Sequence, residues 1–152
     1  LEHGYQCNCG KQGCLETVAS ATGVVHLAMD HLKEKDHSAR LEEILKRDGK
    51  LTSKDVFDLA SDGDEGAKKI VDQVAYYLGY AIGTLVAVLN PKAVVIGGGV
   101  SKAGNTLVEP VEKYYRRFAF PPSCDDTAIL LATLGNDAGV IGAGFLVKKN
   151  LA

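Results

Sequence analysis

Several features that would assign a chain to a class outright are missing from this 152-residue sequence. The net charge is only −2, which gives no electrostatic reason to expect nucleic acid or an anionic membrane as a partner. No apolar run reaches the roughly 18 residues of a membrane span, and the first residues lack the basic-then-apolar pattern of a signal peptide. Repeats, linkers and low-complexity tracts are absent too. We therefore expect a single domain over residues 1–152, with neither nucleic acid nor membrane among its partners.

The cysteine spacing does not fit a disulfide scaffold. Three of the four cysteines lie between Cys7 and Cys14, and Cys124 is far away in the chain. Disulfide scaffolds spread their cysteines through shorter, secreted chains. The spacing favours a reducing compartment, so we expect a cytoplasmic protein in which Cys124 is an ordinary small residue of a loop.

The most informative stretch is the run Cys-Asn-Cys-Gly-Lys-Gln-Gly-Cys-Leu-Glu, residues 7–16. Thiolates this close suit a tetrahedral metal centre, where zinc–sulfur distances of about 2.3 Å draw the ligands to one point. The two glycines let the backbone fold tightly enough to aim three sulfurs inward. The run predicts that Cys7, Cys9 and Cys14 bind zinc, the alternative being a turn of free thiols.

The expected zinc is structural, because three thiolates leave the ion a poor Lewis acid and no general base lies beside them. A fourth ligand must come from elsewhere. His3 is the nearby nitrogen ligand and could close the site, the alternative being a disordered terminal residue.

Glu16 begins a helical pattern directly after this run. In one interpretation it is only a favourable charge at a helix N-terminus. In the other it is a carboxylate that the metal site holds in place to accept hydrogen bonds from ligand hydroxyl groups.

Residues 15–89 form a helical region with apolar residues at alternating three- and four-residue steps. The longest periodic segment ends in a broad apolar stripe, which we expect to be buried on most sides. Gly79 and Gly83 within it indicate close helix contacts. The predicted helices are residues 15–35, with Gly23 as a point of division, and residues 39–46, 54–60 and 65–89.

Residues 92–149 alternate between strand and helix. Buried parallel strands are expected at residues 93–96 and 127–133, and helices at residues 106–118 and 138–149. Gly97-Gly98-Gly99 leaves the first strand, either as a phosphate or nucleotide contact or as a tight strand exit. It is not a Walker loop, because the Gly-Lys-Ser/Thr ending is missing. The order of elements predicts an α/β fold.

Three motifs together resemble the ROK family (repressors, open reading frames and sugar kinases), most closely its bacterial glucokinase branch. The cysteine run leads into Thr-Val-Ala-Ser-Ala-Thr-Gly, residues 17–23. Residues 90–101 resemble the family's adenosine-proximal segment, and residues 134–143 its C-terminal signature. The resemblance spans essentially the whole chain.

The resemblance implies the C-terminal part of an actin-like, ribonuclease-H-like sugar kinase, helix-rich with a remnant of a sheet. Such an enzyme phosphorylates glucose at the 6-hydroxyl with ATP and Mg²⁺. Cys7, Cys9 and Cys14 would then bind structural zinc, and Glu16 would hydrogen-bond the sugar. Gly98 and Gly99 would lie near the nucleotide.

Three motifs of the family are absent: the Asp-x-Gly-Gly-Thr phosphate loop, the Asn-Asp pair that supplies the catalytic base, and the Glu-x-Gly-His segment. We therefore expect the C-terminal piece of a glucokinase, with the catalytic base outside the chain and no kinase activity of its own. Two apolar strands with unpaired edges predict a homodimer or higher self-association. The alternatives are the effector-binding domain of a ROK-family transcriptional repressor and a zinc-stabilised interaction module.

Overall fold

The computed structural model describes residues 4–151, without the side chains of Asn136 and Leu151. The described residues form eight α-helices and two strands, and strands alternate with helices after residue 92 as predicted. Short 3₁₀ helices occupy Gly99–Ala103 and Gly135–Asp137. The elements in chain order are α1 (Glu16–Ala19), α2 (Ala21–His31), α3 (Ala39–Asp48), α4 (Ser53–Ser61), α5 (Glu65–Leu89), β1 (Ala93–Ile96), α6 (Asn105–Phe118), α7 (Pro121–Asp126), β2 (Ala128–Leu131) and α8 (Ala138–Leu151).

Helix α5 is the central element and has the predicted bounds. The Asp64 side chain accepts a hydrogen bond from the Ala67 N–H at its start, and Asn90 ends it in the left-handed conformation. Its buried face packs on α2, α4 and α6. By length and composition alone α5 could cross a membrane, a test that the core helix of a soluble protein also passes.

The prediction that the C-terminal end of α5 is buried on most sides is wrong. Leu85, Val88 and Leu89 are 54%, 78% and 68% exposed. Their apolar stripe extends beyond the helices that cover the rest of α5, so the composition predicted burial of a surface that residues 4–151 leave exposed.

The contact of α5 with α6 explains both glycines of α5. A Cβ added at Gly79 would lie 2.5 Å from the Tyr114 Cβ, and one at Gly83 would lie 3.1 Å from the Ala119 nitrogen. The two helices therefore touch backbone to backbone, as the spacing predicted. The core around this contact lies among α2, α4, α5 and α6.

The first predicted helix is divided at Ser20, not at Gly23. Ser20 is extended and its Oγ accepts from the Gly23 N–H at 3.1 Å, so it caps α2. Gly23 lies inside α2, where an added Cβ would come within 2.6 Å of the Val18 backbone. The glycine therefore serves the close packing of α1 on α2.

The sheet has two parallel strands, with Ala93 opposite Ala128 in register. The prediction that both strands are buried is wrong, because Val95 is 60% and Leu130 is 49% exposed. Only Ile96 and Ile129 are buried among the strand residues, since the rest of the described chain covers one face.

Helix α7 was missed by the sequence analysis. Pro121 and Pro122 look like chain punctuation, but proline is favoured in the first turn of a helix. Cys124 is thus a buried helical residue and not a loop residue.

Candidate metal centre and ligand cleft

Residues 7–16, called here the metal turn, fold back on themselves in a tight hairpin. The Cys7 N–H donates to the Lys11 carbonyl at 2.8 Å, and Gln6 pairs with Gln12 in an antiparallel bridge. Gly10 and Gly13 have φ of +87° and +71°, which a residue with a Cβ rarely adopts. The two glycines therefore permit the reversal that brings the cysteines together.

The three sulfur atoms of the metal turn converge. The Sγ atoms of Cys7, Cys9 and Cys14 all lie within 4.8 Å of one another, and those of Cys9 and Cys14 are 3.6 Å apart. Sulfurs bound tetrahedrally to one zinc ion are separated by about 3.8 Å, whereas a disulfide requires about 2 Å. The spacing fits three ligands of a single zinc ion.

A fourth ligand is not seen among residues 4–151, where these three cysteines form the one cluster with metal-ligand spacing. His3, the predicted fourth ligand, lies outside the described residues. Three thiolates and one further position match the donor set of structural zinc sites.

The thiols of the turn differ in acidity. The backbone N–H of Lys11, followed by hydrogen bonds with Cys7 and Cys14, lowers the pKa of Cys9. Hydrogen bonds with Cys9 and Cys7 raise the pKa of Cys14 to about 11. Cys9 thus loses its proton before Cys14 does. A cation must displace the proton of Cys14, which makes metal binding weaker as the pH falls.

Glu16 lies where the metal turn meets α1. Its Oε1 accepts from the Ser20 hydroxyl at 3.0 Å, and its Oε2 lies 3.9 Å from the Cys7 Sγ. The side chain is exposed. A carboxylate has about four acceptor positions, so Glu16 retains capacity for hydroxyl groups of a ligand.

The structure brings Glu16 and the glycine triplet into one cleft, although 80 residues separate them in sequence. The cleft has a volume of about 380 Å³, and both Glu16 and residues 97–99 line it. Leu15, Ala19, Ser20, Ala21, Leu78 and Val100 complete the lining.

The triplet reaches this cleft through a turn that directly follows β1. Gly98 has φ of +84°, and its carbonyl accepts from the Ser101 hydroxyl at 2.8 Å. A Cβ at Gly99 would lie 3.2 Å from the Ala21 Cβ, so the loop packs on the start of α2. This geometry fits the strand-exit interpretation of the triplet, and its contact with a nucleotide stays a prediction.

Sequence reasoning missed three residues that hold the metal turn on α2. The Tyr5 hydroxyl donates to the Asp30 carboxylate, and the Tyr5 ring lies 4.6 Å from the His26 ring. No spacing rule connects Tyr5 with Asp30 across 25 positions, so no signal in a single sequence identifies them.

Comparison with known proteins decides the family. The ROK family pattern matches residues 2–150. The chain belongs to the ROK family. It is 51% identical to a glucokinase of Halalkalibacterium halodurans over 97% of its length and 44% of that relative's length. It thus spans less than half the length of this curated relative.

Two solved ROK structures resemble the chain. A glucokinase from Streptomyces griseus in complex with glucose and AMPPNP has a TM-score of 0.82 and 29% identity, over 96% of this chain and 48% of the other. A ROK transcriptional regulator, a homologue of the Escherichia coli MLC protein, has a TM-score of 0.68 and 29% identity, over 84% of this chain and 31% of the other. The expected fold class, a helix-rich α/β fold with a remnant of a sheet that resembles part of a solved ROK sugar kinase, is confirmed.

Proposed function

We propose that this chain is the C-terminal portion of an ATP-dependent glucokinase, which converts glucose to glucose 6-phosphate. The observation that carries the proposal is the shared cleft, where the carboxylate expected to bind sugar faces the glycines expected to lie near nucleotide. The similarity to a bacterial glucokinase over nearly all of this chain favours the same substrate pair.

On the sugar side of the cleft, Glu16 accepts hydrogen bonds from glucose hydroxyl groups. Charge-assisted hydrogen bonds to a carboxylate are roughly twice as strong as neutral ones. The Ser20 hydroxyl holds one carboxylate oxygen, so Glu16 approaches the sugar with a limited choice of orientations.

On the nucleotide side, Gly98 and Gly99 allow the ATP to approach the backbone closely, because they carry no Cβ and are exposed to the cleft. Mg²⁺ accompanies the ATP and supplies charge neutralisation at the phosphates. The residues of this chain bind and position the two substrates. The catalytic base comes from a part of the kinase outside this chain.

Cys7, Cys9 and Cys14 hold a structural zinc ion that keeps the metal turn closed next to Glu16. Elemental analysis of the purified chain should find about one zinc per chain. Cys9→Ala should lose the metal, whereas Cys124→Ala, remote from the turn, should keep it. Equal zinc in the two variants would refute the ligand assignment.

The direct test of the activity is ATP-dependent phosphorylation of glucose by the full-length protein that contains this chain, measured in a coupled assay. Activity with glucose supports the proposal, and its absence in a folded, zinc-loaded protein overturns it. Residues 1–152 alone should give no product above a buffer blank, because phosphoryl transfer depends on positioned groups that these residues lack.

We also propose a cytoplasmic location, where reducing conditions keep the three thiols available for zinc. Exposed apolar residues on the sheet and on α8 support self-association as a homodimer or larger assembly.

The second candidate is the effector-binding domain of a ROK transcriptional repressor, which the similarity to a solved ROK regulator favours. The upstream sequence discriminates the two, since a repressor carries a helix-turn-helix and a kinase carries the Asp-x-Gly-Gly-Thr loop. A zinc-stabilised interaction module without a ligand would show no heat on glucose titration.

A further inference from the structure

The metal turn is fastened to the helical core by a single apolar side chain. Among residues 4–14, Tyr5 alone packs against the hydrophobic core. The cysteines that follow it are exposed or half-buried. The other contacts with the helices are polar and lie next to the chain connection, where the Thr17 hydroxyl donates to the Cys14 carbonyl at 2.7 Å and the Cys7 Sγ lies 3.9 Å from the Glu16 Oε2.

Tyr5 makes one hydrogen bond through its backbone and another through its side chain. Its carbonyl accepts from the Gly13 N–H at 3.0 Å, next to the ligand Cys14. Its hydroxyl donates to the carboxylate of Asp30, near the end of α2. The backbone of Tyr5 thus belongs to the hairpin, while its side chain belongs to the packing of α2.

The Tyr5 ring also connects to the helix that carries Glu16. It lies against the His26 ring with 4.6 Å between centroids. The His26 Nδ1 lies 3.1 Å from the carbonyl oxygen of Thr17, the neighbour of Glu16. A continuous set of contacts therefore joins the turn, α2 and the residue beside the cleft carboxylate.

We propose that Tyr5, through its hydrogen bond to Asp30, is a positioning residue that preorganises the three cysteine sulfurs for metal and fixes the metal turn on α2. The inference rests on the proposed metal centre. Tyr5 touches neither the metal nor a substrate. It limits the number of conformations available to the metal-free turn, so less conformational entropy is lost when the metal binds. Loss of the hydrogen bond should therefore weaken metal binding.

A purely structural role makes a different prediction. If the Tyr5 side chain only covers the core, then removal of its hydroxyl alters the unfolding of the metal-free chain and leaves metal affinity unchanged. Tyr5→Phe separates the two roles because it keeps the ring and its contact with His26, and removes only the bond to Asp30.

The test is titration of the metal-free chain with Co²⁺, whose absorption bands report tetrahedral thiolate coordination, followed by competition with Zn²⁺. Tyr5→Phe should weaken binding of both ions by about tenfold, at the lower end of the effects of lost outer-shell hydrogen bonds. Tyr80→Phe is the matched control, because the Tyr80 ring is 56% exposed and packs on Phe118 of α6, and this variant should bind as the unchanged chain does.

A second variant completes a double-mutant cycle. Asp30→Ala should weaken Co²⁺ binding similarly, and the double variant Tyr5→Phe/Asp30→Ala should be little worse than either alone, because one shared bond is lost. Tyr5→Phe affinity within twofold of the unchanged chain, or fully additive effects, would overturn the inference while leaving the metal centre intact. An unchanged chain that binds no Co²⁺ would overturn the metal centre as well.

Discussion

Apolar residues are largely buried in the helical region (α1–α6) and largely exposed in the sheet region (β1, β2 and α8). Ile70 on α5 is 1% exposed, whereas Ile141 on α8 is 49% exposed. Val86 on α5 is fully buried, whereas Val140 on α8 is 77% exposed. The same residue types that build the core of one region thus form the surface of the other.

The described residues leave many apolar side chains of the sheet region uncovered. Exposed apolar surface is typical of interaction sites, which is why we propose self-association there. The ligand cleft lies at the border, since Glu16 comes from the helical region and the glycine triplet from the exit of β1. A change in the packing of the sheet region should therefore alter the proposed nucleotide contact.

The largest expected effect is on the core. Ile70→Ala should lower the free energy of unfolding by about 2–5 kcal/mol, because it removes buried methyl groups and leaves a cavity. Ile141→Ala should change it by less than about 1 kcal/mol. Urea unfolding of both variants checks the contrast, and equal losses would show that the two regions are packed alike.

The same substitution, glycine to alanine, tests the packing of both regions. Gly79→Ala should destabilise the chain by about 1–3 kcal/mol, because the added Cβ would lie 2.5 Å from that of Tyr114. Gly142→Ala in α8 meets nothing within 4 Å, so its higher helix propensity should stabilise α8 by up to about 1 kcal/mol. Helical content and urea midpoints measure both. Destabilisation by Gly142→Ala would reveal a neighbour of α8.

Self-association should depend on the sheet region. Val95→Lys, at a strand position that is 60% exposed, should shift the chain toward monomer without lowering its stability. Light scattering at micromolar concentration measures the change. A clean monomer before the substitution would contradict the expected association. Gln73→Lys, at an exposed position of α5, is the control for an added positive charge and should leave the association unchanged.

The smallest expected effect is the loss of stability of the helical region at acidic pH. Every ion pair among the described residues lies between residues 30 and 69. Lysine or arginine partners lower the pKa of four carboxyl groups, those of Asp30, Asp36, Glu42 and Asp48.

Since these pKa values are lower in the folded chain, the stability they contribute is present above the unfolded values. It is lost as the pH falls through the folded ones, below about pH 4. Relative to neutral pH, the amide protection factors, which correct for the slower intrinsic exchange in acid, should therefore fall in α2 and α3 before they fall in α8. Loss of protection in α8 first would contradict this order.

Local signals in the sequence predicted the helices well. The bounds of α5 follow from its apolar period, from Asp64 before it and from Asn90 after it. The thiol spacing predicted a cluster because its determinants lie within eight residues. The division at Ser20 was misplaced because Gly23 is a packing glycine, and a single sequence does not distinguish a packing glycine from a break.

Burial and long-range pairing were not predictable in the same way. Val95 and Leu130 are of residue types that are usually buried in strands. Their exposure depends on how many other elements pack on the sheet, which the sequence of the strands does not reveal. The shared cleft of Glu16 and the glycine triplet depends on how the start of α2 packs on the residues that follow β1. Tyr5 and Asp30 meet for the same reason, so no local pattern reveals them.

The most direct test of the account is calorimetric titration of glucose into the full-length, zinc-loaded protein carrying Glu16→Gln. Glu65→Gln, whose side chain is 82% exposed on α5, is the matched control. The account predicts at least about tenfold weaker glucose binding in Glu16→Gln, since a charged hydrogen bond contributes about 1.5–3 kcal/mol, and no change in Glu65→Gln. Unchanged glucose affinity in Glu16→Gln would contradict it.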